Sequence, residues 1–180
     1  MQKRLAEVMD FLEEKRRDLL RSFDGAHADR LGRRPAPDRW SVAQVLDHLR
    51  TVESGIARLI TKRVTQAKAT GLGTEKSTES AMPTFDKYRD LIENQGTMQS
   101  PSRVMPRADV DINEAISGLE TSRADLRAAV SAADGLSLGE IKHTHPILGE
   151  LDLYQWLIFV GSHEVRHRKQ IERTLKSIPE

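Results

Sequence analysis

The sequence predicts an all-α protein built as a four-helix bundle. Two observations carry this: four long segments repeat their apolar residues at helical spacing, and each apolar face needs another to cover it. At 180 residues the chain is long enough for one well-buried core and short for two, so residues 1–180 are read as a single domain.

In the first segment Leu5, Val8, Met9, Leu12, Leu19 and Phe23 form one stripe, with Glu13, Glu14, Lys15 and Arg17 away from it. The stretch "DGAHADRLGRRPAPDRW" then breaks the period with Gly and Pro and reads as a loop. Ser41 followed by Gln44 fits a capping box, which starts the second helix. Val42, Val45, Leu49, Val52, Ile56, Leu59 and Ile60 carry it to about Lys68.

Ala69 to Ala108 reads as one long crossover. Its polar first part, "ATGLGTEKSTESAMP", reads as mobile, "TFDKYRDLIEN" as a short helix, and Gly96, Pro101 and Pro106 as interruptions beyond it. So long a connection inside a compact domain is uncommon and often functional. Ile112, Ala115, Ile116, Leu119, Leu126, Ala129, Val130 and Ala133 define the third helix, which stops at Asp134-Gly135. "LSLGEIKHTHPILGELD" follows as an irregular connection with a little extended structure, and the last helix runs from about Asp152 to Ser177.

Charge and composition narrow the function classes. Lys+Arg 28 against Asp+Glu 27 leaves a net charge of +1, which gives no electrostatic reason to expect nucleic acid or an anionic membrane. With no cysteine there is neither a disulfide framework nor a thiolate site, so any transition-metal site must use imidazole and carboxylate. The N-terminal "MQKRLAEVMDFLEEKRR" carries charge where a signal peptide needs an apolar run. The longest apolar stretch, "LYQWLIFVG", is far short of the roughly 20 residues of a membrane span. The expectation is a soluble, cytoplasmic chain.

Near the C-terminus His163 to His167 spells H-E-x-x-H, the pattern of zinc proteases. Residues four apart on a helix share a face, so two imidazoles at that spacing can grip one ion. The rest of the protease pattern is missing. Only Glu172 and Glu180 remain downstream as acidic candidates, and Gln170 and Arg173 stand where the extended motif needs Gly and His. Glu164 is a candidate general base beside a metal; the competing reading is an exposed carboxylate paired with Arg168 one turn on.

At 100° per residue, His163 lies within about 60° of Trp156, Phe159, Val160 and His167, so both histidines point inward along with Gln170. A buried unpaired imidazole costs on the order of 1–3 kcal/mol, and a shared cation satisfies two at once. On the second helix His48 sits at the margin of the apolar stripe and completes a three-imidazole set. Three protein ligands with a fourth position open is the catalytic arrangement for zinc. Gln170 is read as orienting a ligand from behind. His27 falls in a polar loop, while His143 and His145 alternate on an extended segment and either line the pocket mouth or stabilise the loop.

Two stretches, "RWSVAQVLDHLRTVE" with Trp40, Ser41 and His48, and "HPILGELDLYQWLIFVGSHEVRHRKQI" with His145, Pro146, Gly149, Trp156, His163, His167 and Gln170, resemble the DinB/YfiT-like superfamily of metalloenzymes. The resemblance spans essentially the whole chain. It implies up-down-down-up connectivity with the long crossover between the second and third bundle helices. It also implies a divalent transition metal, zinc or nickel, on the histidines matching His48, His163 and His167. Members include hydrolases and transferases that use low-molecular-weight thiols such as bacillithiol or mycothiol, and dimers are common. The crossover and loops depart from the pattern, and substrates do not transfer across them. The leading expectation is an enzyme acting on a small molecule. The competing one is a non-catalytic, metal-stabilised bundle that binds a small ligand or a partner.

Overall fold

The structure, a computed structural model, describes residues 1–94 and 101–179; Gly96 and Glu180, named above, lie outside the described residues. Six helices are labelled in chain order: α1 Lys3–Arg21, α2 Ala28–Gly32, α3 Val42–Ala69, α4 Asp86–Asn94, α5 Ile112–Ala132 and α6 Leu153–Ser177. A two-stranded hairpin, β1 Lys142–His145 and β2 Gly149–Asp152, precedes α6. The long helices α1, α3, α5 and α6 form the bundle.

Local chemistry sets the helix starts. The Ser41 hydroxyl accepts from the Gln44 backbone N–H at 3.2 Å and the Gln44 side chain accepts from Ser41 N at 3.1 Å, closing the expected capping box. Asp152 and Gln155 form a second such box at α6, and Asp111 caps α5. The α5 helix ends as expected, with Gly135 at φ +83°, a conformation that suits glycine.

Side-chain pairs fix the helix directions. Arg4 stacks over Tyr154, the Phe11 ring lies over Gly161 and Arg16 reaches Glu164, so α1 and α6 run parallel. Arg50 lies over Gly118, Glu53 meets Arg123 and Lys68 reaches the Ala132 carbonyl, so α3 and α5 also run parallel. Arg16 donates to Leu119 O while Arg123 donates to Leu12 O, which sets α1 against α5. The order is therefore up-down-down-up. Because α3 and α5 point the same way, the chain between them must travel back along a helix roughly 42 Å long.

Three connections differ from expectation. The loop after α1 contains α2, pinned by buried Leu31 and by Arg30, which donates to the Leu175 and Ile178 carbonyls. Five residues with one apolar anchor show no period. The stretch expected to be mobile is strapped down instead: Glu75 N donates to Gly135 O, Ser137 N to Gly73 O, and the Glu75 carboxylate takes Arg4 and Tyr154. The segment before α6 is a registered hairpin, Lys142 opposite Asp152 and His145 opposite Gly149, rather than an irregular run.

The core is split into two apolar clusters. One is built on Leu5, Leu12, Ile56, Leu126, Leu157 and their neighbours, the other on Leu19, Val45, Leu49, Leu119 and Ile171. Between them lies a buried polar layer to which all four bundle helices contribute: Arg16, Glu53, Arg123 and Glu164. His163 adjoins Glu164 at this layer, with His167 one turn further along α6 and His48 five residues before Glu53 on α3.

Candidate metal centre

His48 on α3 and His163 and His167 on α6 converge across the antiparallel α3–α6 seam. Each offers one ring nitrogen within 4.8 Å of the other two. The Nε2 atoms of His163 and His167 are 3.0 Å apart, and those of His48 and His163 are 3.4 Å apart. An ion bonded tetrahedrally to imidazole nitrogens at 2.0–2.1 Å separates its ligand atoms by about 3.3 Å, so the spacing fits one cation.

Hydrogen bonds behind the rings decide which nitrogens are free. His48 Nδ1 lies 2.6 Å from the Val104 carbonyl, which can only accept, so Nδ1 carries the proton and Nε2 keeps its lone pair. His167 Nδ1 donates to Gln170 Oε1 at 2.8 Å with the same result. Lone pairs aimed at one another repel unless a cation lies between them. Burial pushes the proton affinity of all three histidines below the ordinary value, strongly for His163 and His167, which are further lowered by the neighbouring imidazoles. Neutral donors with lone pairs inward are what a divalent transition metal requires.

The surroundings hold these rings in place. Trp40 packs on His48 with ring centroids 5.0 Å apart and lies nearly parallel to His167 at 6.5 Å. Phe159 stacks on His163 at 5.3 Å. Beside His48, the buried Asp47 carboxylate accepts from Arg107 N at 3.0 Å, from the Arg107 guanidinium and from Arg50. Gln44 donates to the Arg107 and Ala108 carbonyls from one turn earlier. The last part of the crossover is thereby tied to α3, which brings Val104 to His48. Burial pushes the Asp47 carboxyl up, but the Arg107 backbone and side-chain donors and Arg50 outweigh it and hold the group below its usual range.

Glu164 requires a correction. It is neither exposed nor paired with Arg168, which reaches Glu172 instead. Its Oε1 accepts from Arg16 Nε at 2.9 Å, Arg16 Nη2 at 2.6 Å and Arg123 Nη2 at 2.9 Å. Glu53 takes Arg16 at 2.8 Å, Arg123 at 2.7 Å and the Ser122 hydroxyl. A step of about 100° from His163 turns the Glu164 carboxylate away from the imidazoles and into this quartet. Its Oε1 is bonded as a bundle tie, while its Oε2 is buried without a hydrogen-bond partner and burial pushes the carboxyl above its ordinary range. Arg16 and Glu53 fall on the apolar lines of their own helices, Leu12–Arg16–Leu19 and Leu49–Glu53–Ile56, and this was the legible signal for the quartet.

The remaining histidines separate in the same way. His145 is buried against Trp156 and Phe159, and its Nδ1 accepts from Ile147 N and Leu148 N, both at 3.2 Å, so it closes the hairpin turn. His143 accepts from Arg63 at 2.8 Å, and His27 is exposed at the start of α2. Asp47 and Val104, which fasten the crossover to α3 and bond His48, went unread in the sequence, Asp47 belonging to no motif and Val104 lying in an aperiodic crossover.

Fold and site define a class: helical bundles whose core presents three converging imidazoles. The family model of the DinB superfamily matches residues 12–171, and the chain belongs to that superfamily. Over 171 residues it is 26% identical to "Uncharacterized protein YuaE" of Bacillus subtilis (strain 168), covering 94% of this chain and 98% of that one. The crystal structure of TT2238, a four-helix bundle protein, is similar with a TM-score of 0.61 at 21% identity, covering 94% of this chain and 98% of that one. This second likeness bears on the fold alone.

Proposed function

We propose that this chain is a metal-dependent enzyme acting on a small molecule, as a hydrolase or as a transferase of a low-molecular-weight thiol. The observation that supports it most is the convergence of three imidazoles, two of which, His48 and His167, have their Nδ1 protons committed to Val104 and Gln170 and their Nε2 lone pairs free. His48, His163 and His167 would hold the ion, zinc or nickel by donor type. When bound, such a cation supplies Lewis acidity toward a water or a thiol.

The chain's own residues do the rest. Val104 and Gln170 fix the tautomers and aim the rings. Trp40 and Phe159 wall the imidazoles and keep water from competing for them. His163 keeps partial exposure, so the centre is reached past its ring. The turn of Glu164 Oε1 into the quartet favours a nucleophile ionised by the ion over one needing a carboxylate base. The proposal extends to a cytoplasmic setting, a homodimer, and no nucleic-acid or membrane partner.

Elemental analysis of the protein as isolated, repeated on His163→Ala, tests the reading. The expected result is near one transition-metal ion per chain, lost in the variant. Consumption of a thiol against a panel of electrophiles, abolished by chelation and restored by metal, then separates the enzyme from a non-catalytic bundle. Metal bound without any turnover on either chemistry would leave the ligand-binding alternative.

A further inference from the structure

His145 is only 7% exposed, and one of its ring nitrogens is fully engaged: Nδ1 accepts the Ile147 and Leu148 backbone N–H groups, both at 3.2 Å. An Nδ1 that accepts carries no proton, so the neutral ring bears its hydrogen on Nε2. Among the described residues no acceptor meets that N–H. Buried polar groups are almost always bonded, so a fixed donor without a partner points to an acceptor that arrives with a ligand.

The hairpin carries this donor toward the histidine centre along the α3–α6 seam. At its start the His143 carbonyl accepts from Trp156 Nε1 at 3.1 Å, and the His143 ring meets Arg63 of α3 at 2.8 Å. Two residues on, the His145 ring packs on Trp156 at 5.0 Å and on Phe159 at 4.8 Å, and Phe159 stacks on His163 at 5.3 Å. His145 thus stands beside Phe159, one helical turn before the first ion ligand of α6. Across the seam, Val52, Gly55 and Leu59 share the face of α3 that bears His48 and Arg63. Val52 and Leu59 are half-buried, and a Cβ added at Gly55 would meet nothing within 4 Å. An apolar furrow is left open between the ion ligands and the unpartnered N–H.

We propose that this furrow holds the part of the substrate remote from the metal, and that His145 Nε2–H donates to a carbonyl oxygen there. This rests on the metal-enzyme reading above and narrows its substrate to a small molecule with an apolar arm and a carbonyl a few bonds from the atom that meets the ion. His145 touches the substrate without exchanging a proton with it, as a neutral donor aimed by the turn it closes. The turn sets the tautomer, and the tautomer sets the specificity.

The test separates the two nitrogens. Asparagine puts its Oδ1 near the place of Nδ1, keeping the turn and removing the Nε2 donor; glutamine puts an amide N–H near the place of Nε2 and gives up the turn. Full-length protein loaded with cobalt(II), whose visible absorption reports a thiolate ligand, is titrated with N-acetylcysteamine and with 1-pentanethiol, a chain of the same length without the amide. His145→Asn is expected to weaken N-acetylcysteamine about tenfold, in line with one hydrogen bond, and to leave 1-pentanethiol affinity and cobalt content as in the parent. His145→Gln keeps most of the preference despite a looser hairpin. In the zinc-loaded parent the His145 Nε2–H proton resonance shifts with N-acetylcysteamine and stays in place with 1-pentanethiol, a readout that needs no variant. A preference unchanged in His145→Asn, an equal loss for both thiols, or a resonance unmoved by N-acetylcysteamine overturns the inference and leaves the metal reading intact. Absence of a response to either thiol overturns the inference together with the thiol chemistry proposed above, and failure to take up cobalt overturns the metal reading as well.

Discussion

His48 donates through Nδ1 to the carbonyl of Val104 across 2.6 Å, a bond that joins α3 to the far end of the crossover. Asp47, the preceding residue, fastens the same segment through Arg107. Replacing Asp47 with Ala releases that fastening and loosens the Val104 carbonyl that orients His48. The expected outcome is a 10–100-fold loss of metal affinity, by order of magnitude for an orienting partner of a ligand, with helix content unchanged. Competition against a chromophoric chelator, alongside far-ultraviolet circular dichroism, measures both.

Removing Glu164 from the buried quartet leaves two guanidinium groups sharing the single carboxylate of Glu53. Glu164→Ala is expected to cost about 3–5 kcal/mol, because Arg16 and Arg123 stay buried beneath it. Glu164→Gln retains an acceptor and costs less. Urea unfolding midpoints give the two values. Because the carboxylate faces away from the imidazoles, Glu164→Gln keeps the metal stoichiometry of the parent; loss of metal in that variant would contradict its placement.

His145 makes an acid-sensitive latch. Its Nδ1 accepts two backbone N–H groups, which only a neutral ring can do, and burial lowers its pKa from 6.5 to about 4. The unfolded chain takes up this proton as pH drops below about 6.5, while the folded chain resists until about 4. Stability is therefore present above that window and lost across it on acidification. Glu53 adds a lower window: Arg123 and Arg16 outweigh its burial and hold it below its usual range, so its contribution fades beneath about pH 4.3. Denaturant titrations from pH 7 to 3 on metal-free protein are expected to show both; His145→Gln reduces the upper one, and what remains comes from His48, His163 and His167, whose proton affinities are also lowered by burial.

Gly161 lets α1 and α6 approach. A Cβ there would overlap the edge of the Phe11 ring. Gly161→Ala is expected to destabilise by about 1–3 kcal/mol, as overpacking does, despite the better helix propensity of alanine. A Phe11→Ala background removes the clash, and thermal melts of the double variant should recover most of the difference.

The sequence made the bundle legible because long amphipathic helices write their inward face into the spacing of Leu, Val and Ile. Ser41 and Gln44 disclosed a helix start for the same reason, since a capping box is local chemistry. The pairing of His163 with His167 was likewise local. Glu164 was misread because its partners, Arg16 and Arg123, come from other helices, and nothing within its own helix distinguishes a buried tie from an exposed charge. Val104 was invisible: its part is played by a backbone carbonyl, which any side chain at that position would supply. The straps on Gly73 and Glu75 escaped for the same cause, being bonds between loops far apart in the chain.

The polar layer that divides the core also limits how the helices can be aligned. Sliding any one of them by a turn would set a guanidinium or carboxylate against leucine and bring an aliphatic side chain into the ion pairs. Each misalignment thus incurs two separate penalties, one for a stranded charge and one for lost apolar cover. The quartet works as a key cut for a single alignment, and that alignment is the one at which His48 meets His163 and His167.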